Sequence, residues 1–209
     1  MDKTNELYFL VKERLSEARF KHTEGVLKAA QELGKKLLPD KICALSYAAL
    51  LHDIAKEIDT EDQIRLSKEY GYVPTSSDLE SASVLHSFAA PAIIKRDFPH
   101  FASDEIISAV FNHTVGAPDM SLFDEIIFVS DFIEENRRYD SCIEVRNRLL
   151  KTIVNANSDR EVELALHEAT VASIDATISS LISKMKPINK KTIITRNAFL
   201  KKVKNERKN

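Results

Sequence analysis

Apolar side chains in this sequence return at every third or fourth position, and nowhere do they alternate with polar ones over a useful length. Val73 and the Ile193-Ile194 pair come nearest to a strand signal, and both are too short to argue for a sheet. Only four glycines and six prolines punctuate 209 residues, so the chain lacks the turn chemistry that repeated hairpins need. The expected fold class is all-α: one helical bundle with C-terminal helices packed on its core. An apolar content of 44% is enough for that core.

Start and stop signals divide the chain. A short helix is expected over about Asn5–Leu15, and Ser16 caps the next, where Ala18, Val26, Ala29, Ala30 and Leu33 keep helical spacing. Pro39 separates it from a central helix running to about Ala55. Thr60-Glu-Asp-Gln63 reads as a capping box and Gly71 as a stop. A polar linker covers Val73–Asp78. Leu79–Asp97 is helical with breaks near His86 and Pro91. Ser103 caps a helix reaching His113, and Thr114–Pro118 forms a loop. Further helices are expected over Leu122–Glu134 and Asp140–Thr152. The longest opens at the box Ser158-Asp-Arg-Glu161 and ends before Pro187, and a last piece spans Thr192–Val203. The expected organisation is a single domain over 1–187, with its site within about 16–137, followed by a basic segment over 188–209.

The stretch Ala44–Lys56 joins this organisation to chemistry. It is an Ala- and Leu-rich helix that ends in His52, Asp53 and Lys56. Burying such groups is costly unless something compensates them, and a metal ion does so, since neutral imidazole and carboxylate are both good ligands. Neighbours on a helix point about 100° apart, so His52 can hold one ion while the two oxygens of Asp53 reach between two. With fourteen Asp and six His in the chain, a single His-Asp pair says little.

The other histidines say more. Residues three and four apart share a helix face, and His22, His52, His86, His113 and Asp131 all have apolar neighbours at that spacing. In the four histidine cases the residue at i−4 is alanine (Ala18, Ala48, Ala82 and Ala109), which leaves room for other groups to converge. His100 follows Pro99 in a loop, and His167 has Glu163 behind it and sits in a helix with no acidic or imidazole partner nearby in the pattern. Any one inward histidine is accounted for by a bond to a carbonyl. For the whole set, one shared metal centre satisfies every member at once. The spacing does not suit a zinc finger, which needs short local pairs, but it suits a site built from facing helices of a bundle. Cys43 and Cys142 read as small core residues rather than a disulfide or zinc knot.

These residues, in this order, resemble the HD-domain superfamily of metal-dependent phosphohydrolases. More closely, Arg19-Phe-Lys-His22, Leu50-Leu-His-Asp-Ile-Ala-Lys56, Leu85-His86, Asn112-His-Thr-Val-Gly116, Met120-Ser-Leu122, Ile126–Glu134, Arg137 and the segment Thr192–Leu200 resemble the YqeK family over nearly the whole chain. The resemblance implies an all-helical enzyme with two transition-metal ions, usually iron, that splits diadenosine tetraphosphate symmetrically into two ADP. It places His22, His52, Asp53 and Asp131 on one metal, and His86 and His113 on the other, with Asp53 bridging. The sequence departs from the family at Val115, where a second Thr is common, and at Phe128-Val129-Ser130, where Tyr-Leu-Ala is common. Neither departure touches an implied ligand.

Two such metals would lower the pKa of a shared water, neutralise phosphoryl charge and fix the direction of attack. Mixed His and Asp ligands suit iron, manganese, cobalt or zinc better than magnesium. Asp53 and Lys56 are the expected catalytic residues. Arg19, Lys56, Thr114 and Arg137 are the expected substrate clamps, since arginine's planar fork suits phosphate oxygens; Arg138 reads as a surface charge. Gly116 is expected at positive φ. The expected partner is a small dinucleoside polyphosphate, with a homodimer left open. A net charge of −2 gives no general pull towards nucleic acid or membrane, and no run approaches the ~18 apolar residues of a span. The first six residues carry no secretory pattern, so a cytoplasmic protein is expected. From Lys184 onward ten Lys or Arg face one Glu, which reads as a solvated tail. The alternatives are another nucleotide as substrate (a dNTP, an alarmone or a cyclic dinucleotide), a non-catalytic nucleotide-sensing module, or an RNA-binding adaptor resting on the tail alone.

Overall fold

The structure is a computed structural model that describes residues 3–208. Met1 and Asp2, at the head of the leader reading, and Asn209, at the end of the basic tail, lie outside the described residues. The described residues are 77% helical. Eleven α-helices follow in order among the described residues: α1 Lys3–Lys12, α2 Glu17–Leu37, α3 Ile42–Leu51, α4 Thr60–Tyr70, α5 Ser76–Glu80, α6 Leu85–Asp97, α7 Asp104–Asn112, α8 Leu122–Ile133, α9 Asp140–Asn155, α10 Asp159–Ser183 and α11 Lys190–Glu206.

Helix α3 is the axis of the bundle. It packs on α1, α2, α7 and α8, and Leu45, Ser46, Ala48, Ala49, Leu50 and Leu51 are all buried. A helix surrounded in this way is apolar all round rather than striped. The neighbouring helices α6, α7 and α8 pack successively on one another, and α8 in turn meets α10, which carries α9 and α11. Phe123, Leu45, Leu50, Ile126 and Ile127 fill the centre, and Leu85, Phe88 and Val115 form a smaller cluster beside it.

The serine caps behave as their chemistry predicts. Ser16, Ser103, Ser121 and Ser158 each accept a bond from the backbone amide three residues on. Other boundaries differ from expectation. Asp59, not Thr60, caps α4, because its carboxylate reaches the Asp62 amide. At Ser158 the box is half made, since Glu161 turns to the Asn157 amide instead. The linker after Gly71 contains α5, held by a reciprocal Thr75/Asp78 box. Helix α3 stops at Leu51, four residues early. Helix α6 runs unbroken through Pro91, and the break before it lies at 81–84. Cys142 is buried, but Cys43 is exposed on the first turn of α3, so only one of the two is a core residue.

The C-terminal segment is no loose tail. Helix α11 extends to Glu206 and buries Thr192, Thr195, Phe199 and Val203. Its start is fastened to α5: Asn189 donates to the Asp78 carboxylate at 2.9 Å and to the Ser77 carbonyl at 3.2 Å, and the Lys190 amide donates to the Ser77 hydroxyl at 3.0 Å. Lys191 lies over the Tyr72 ring, 4.2 Å from its centroid. Gly116 has φ +69°, and a Cβ there would sit 2.6 Å from the Thr195 methyl of α11. Both a left-handed backbone and a close approach therefore require glycine. Gly116→Ala is expected to cost about 1–3 kcal/mol, read as a lower urea midpoint at unchanged slope; an unshifted midpoint contradicts this account.

Candidate metal centre and adjoining cleft

The candidate ligands stand at helix ends. His52 directly follows α3, His113 directly follows α7, and His86 is the second residue of α6. Helix ends leave carbonyls without intrahelical amide partners, and these imidazoles use carbonyls three residues back. His52 Nδ1 lies 2.7 Å from the Ala49 oxygen, His86 Nδ1 2.9 Å from that of Ser83, and His113 Nδ1 2.7 Å from that of Val110. A carbonyl can only accept, so the proton sits on Nδ1 and the Nε2 lone pair faces the other way. His22, from α2, places its Nδ1 3.2 Å from Glu134.

The Nε2 atoms consequently meet. Those of His86 and His113 lie 3.1 Å apart, and those of His52 and His22 3.4 Å apart. Asp53 stands between the pairs. Its Oδ1 is 3.1 Å from His86 Nε2 and 3.6 Å from His113 Nε2, and its Oδ2 is 3.4 Å from His52 Nε2 and 3.7 Å from His22 Nε2. Asp131 Oδ1 closes on His22 Nε2 at 2.9 Å. Two triads, His22/His52/Asp53 and Asp53/His86/His113, thus share one carboxylate, each with the geometry to hold a metal ion. Lone pairs directed at one another in a buried space have no partner except a cation, and this donor set of imidazoles and carboxylates fits a first-row transition ion.

The charges agree. Burial pushes His86 down to about 4 against the pull of Asp53, so its imidazole is neutral and free to ligate at neutral pH. Burial would raise Asp53, but His52, His113 and His86 hold it well below the usual carboxylate range. Burial would likewise raise Asp131, and Arg137 and His22 hold it down. His22 is the exception: burial lowers it, yet its bonds to Asp131 and Glu134 carry it up to about 9, so its imidazole is protonated at neutral pH and an ion binding there must displace that proton.

A cleft of about 560 Å³ adjoins this cluster. Lys56, His113, Thr114, Asp131 and Arg137 line it from the ligand side, Phe128 and Phe132 from α8, and Ser173, Thr177, Lys186, Asn189 and Thr192 from the C-terminal third. Lys56 Nζ lies 3.3 Å from His86 Nδ1, and burial lowers its pKa despite Asp53 and Asp131. Arg137 donates to Asp131 at 2.6 Å. Thr114 shares a 2.7 Å hydroxyl bond with Ser87. Arg19 donates to Asp53 Oδ2 at 2.9 Å and is absent from the cleft wall. Arg138 and His100 are exposed.

Sequence reasoning missed Glu134. It follows the end of α8, is 2% exposed, and holds His22 through its carboxylate. Gly25, one turn after His22, leaves room for it, since a Cβ there would overlap Glu134 Oε2. His167 is a second correction. It does have an acidic partner, since its Nδ1 meets the buried Glu125 of α8 at 2.5 Å. The two residues are 42 positions apart, beyond the reach of a local pattern.

Comparison with known proteins agrees with this geometry. Residues 19–151 match the HD domain family, so the chain belongs to that metal-dependent class. A protein of Halalkalibacterium halodurans named "Bis(5'-nucleosyl)-tetraphosphatase, symmetrical" is 32% identical over 191 residues, 91% of this chain and 94% of the relative. One of the same name from Bacillus subtilis is 29% identical over 187 residues, 90% and 92%. A crystal structure from Clostridium acetobutylicum, described as a predicted HD superfamily hydrolase involved in NAD metabolism, superposes with a TM-score of 0.80 at 26% identity, covering 95% of this chain and 97% of that one. Within the HD-domain proteins the chain is a member of the YqeK family.

Loss of an outer partner of a metal-ligating histidine typically costs 10–100-fold in metal affinity. Gly25→Ala, by displacing Glu134, and Glu134→Gln, by weakening its hold on His22, are both expected to fall in that range when metal is titrated into stripped protein. Wild-type affinity in Gly25→Ala would mean that Glu134 does not position His22.

Proposed function

We propose that this protein hydrolyses diadenosine tetraphosphate symmetrically, giving two ADP. The observation that carries the reading is the convergence of four imidazole Nε2 atoms on the two oxygens of Asp53, beside a cleft with a cation on each flank. His22, His52, Asp53 and Asp131 would hold one ion and His86, His113 and Asp53 a second, iron first, with manganese, cobalt or zinc as other occupants. Bound there, such ions supply an acidified water and neutralise charge on a phosphoryl oxygen.

The protein's own residues do the rest. Lys56 stands beside His86 on one flank and Arg137 beside Asp131 on the other, so a polyphosphate lying across Asp53 meets a positive charge on each side. That arrangement centres the chain of four phosphates. The bond to its middle bridging oxygen is then the one presented for cleavage; one ADP keeps that oxygen and the other receives the oxygen of water. ADP is a good enough leaving group that no strong general acid is required. Thr114, braced by Ser87, offers a hydroxyl to a phosphate, and Phe128 and Phe132 offer apolar surface to a base. Arg19 enters through its bond to Asp53, as a holder of that carboxylate. A cleft of about 560 Å³ lies within the range of small-molecule sites. The family resemblance and the names of the relatives from H. halodurans and B. subtilis support the same substrate.

Product analysis tests the reading. ADP as sole product is expected, and AMP with ATP, or no turnover by fully metallated protein, rejects it. Asp53→Ala should abolish turnover. Lys56→Ala should lower kcat/KM by about 10²–10³-fold, the usual cost of one preorganised charge-stabilising donor, with metal content unchanged.

A further inference from the structure

Arg146 stands on α9, outside the cleft wall, and bonds to no proposed ligand. It is half-buried, and its guanidinium is directed at main-chain carbonyls. Nε donates to the Ile133 oxygen, and Nη2 donates to the oxygens of Glu134 and Arg137, the last at 2.9 Å. Carbonyls at a helix end lack amide partners, and a cation is favourable there. Those reasons place an arginine beside the end of α8. They do not account for the bond to Arg137, which lies four residues past Ile133, the last residue of that helix.

The three carbonyls belong to one turn. Glu134 leaves α8 with φ −54° and ψ 148°, and its oxygen also accepts the Arg137 amide at 3.1 Å. The turn presents two side chains to the ligand cluster. Glu134 Oε1 lies 3.2 Å from His22 Nδ1, and Arg137 donates to Asp131 at 2.6 Å. His22 and Asp131 themselves meet at 2.9 Å. Asn136, between the two, donates to the Lys21 carbonyl of α2 at 3.1 Å. The turn is therefore fastened to α2 as well as to α9. A planar guanidinium holds its donors in fixed directions and can span several acceptors at once, which the ammonium of lysine, a point charge on a flexible stem, does not.

We propose that Arg146 is a positioning residue for the metal centre. Its guanidinium sets the turn over 133–137, and through that turn it places the carboxylate behind His22 and the cation behind Asp131. The inference rests on the metal centre and not on the identity of the nucleotide, so metal binding tests it independently of turnover.

The test is titration of stripped, full-length protein with manganese(II), the free ion being read by electron paramagnetic resonance. Wild type is compared with Arg146→Lys, Arg146→Gln, Glu134→Gln and the double variant Arg146→Lys, Glu134→Gln. Arg146→Lys keeps a positive charge at the end of α8, and thermal melting by circular dichroism checks the fold of each protein. Arg148→Lys is the control, since Arg148 is exposed on the same helix and pairs with Glu168. Both Arg146 variants are expected to bind manganese about tenfold more weakly, the low end of the usual range for the outer partners of metal ligands, and the control to bind as wild type. The double variant is expected to lose less than the product of its two single losses, because side chains acting through one contact are not additive. An arginine that only stabilises the fold would lower the melting temperature and leave manganese affinity unchanged, or would multiply its loss with that of Glu134→Gln; either result overturns the proposal. Wild-type protein that binds no manganese removes the centre itself, and the proposal with it.

Discussion

The bond from an imidazole Nδ1 to a backbone carbonyl three residues earlier is the constraint on which the site depends. It occurs at His52, His86 and His113. Each fixes a tautomer and aims a lone pair in one stroke, and each uses a carbonyl at a place where regular helix stops or starts. The fold therefore supplies ligand orientation from its main chain, which no side-chain substitution removes. Asp53 can then serve both halves of the cluster because it comes immediately after one of these histidines, on a turn rather than in a helix.

The helices that bring these ends together are held by ordinary packing. Helix α3 is buried along most of its length, and its small residues Ala48 and Ala49 let neighbours come close. It stops at Leu51, and the His52 imidazole takes the Ala49 carbonyl at that end. Local regularity gives way where the ligands are needed.

Much of this was legible in the sequence, for identifiable reasons. Helical spacing and the serine caps located most elements, because both are local signals. The six proposed ligands stood out by type and apolar surroundings, and the structure gathers them. One supporting reason did not carry over: Ala48 and Ala109 are buried as the spacing argument required, whereas Ala18 and Ala82 are exposed. Helix-face reasoning does not apply to His86, which lies at the very start of α6, or to Ala82, which belongs to the turn before it. Glu134 and the partnership of His167 with Glu125 were not legible, since each depends on contacts across more than forty residues that only tertiary packing creates. The C-terminal wall of the cleft was hidden for the same reason.

That wall has a consequence for how the protein is made. The proposed ligands all lie between residues 22 and 131, whereas Lys186, Asn189 and Thr192 come more than fifty residues later in the chain. Domains generally fold as units. The ligand cluster and the far wall of the cleft therefore belong to one folding event, joined where Asn189 reaches Asp78.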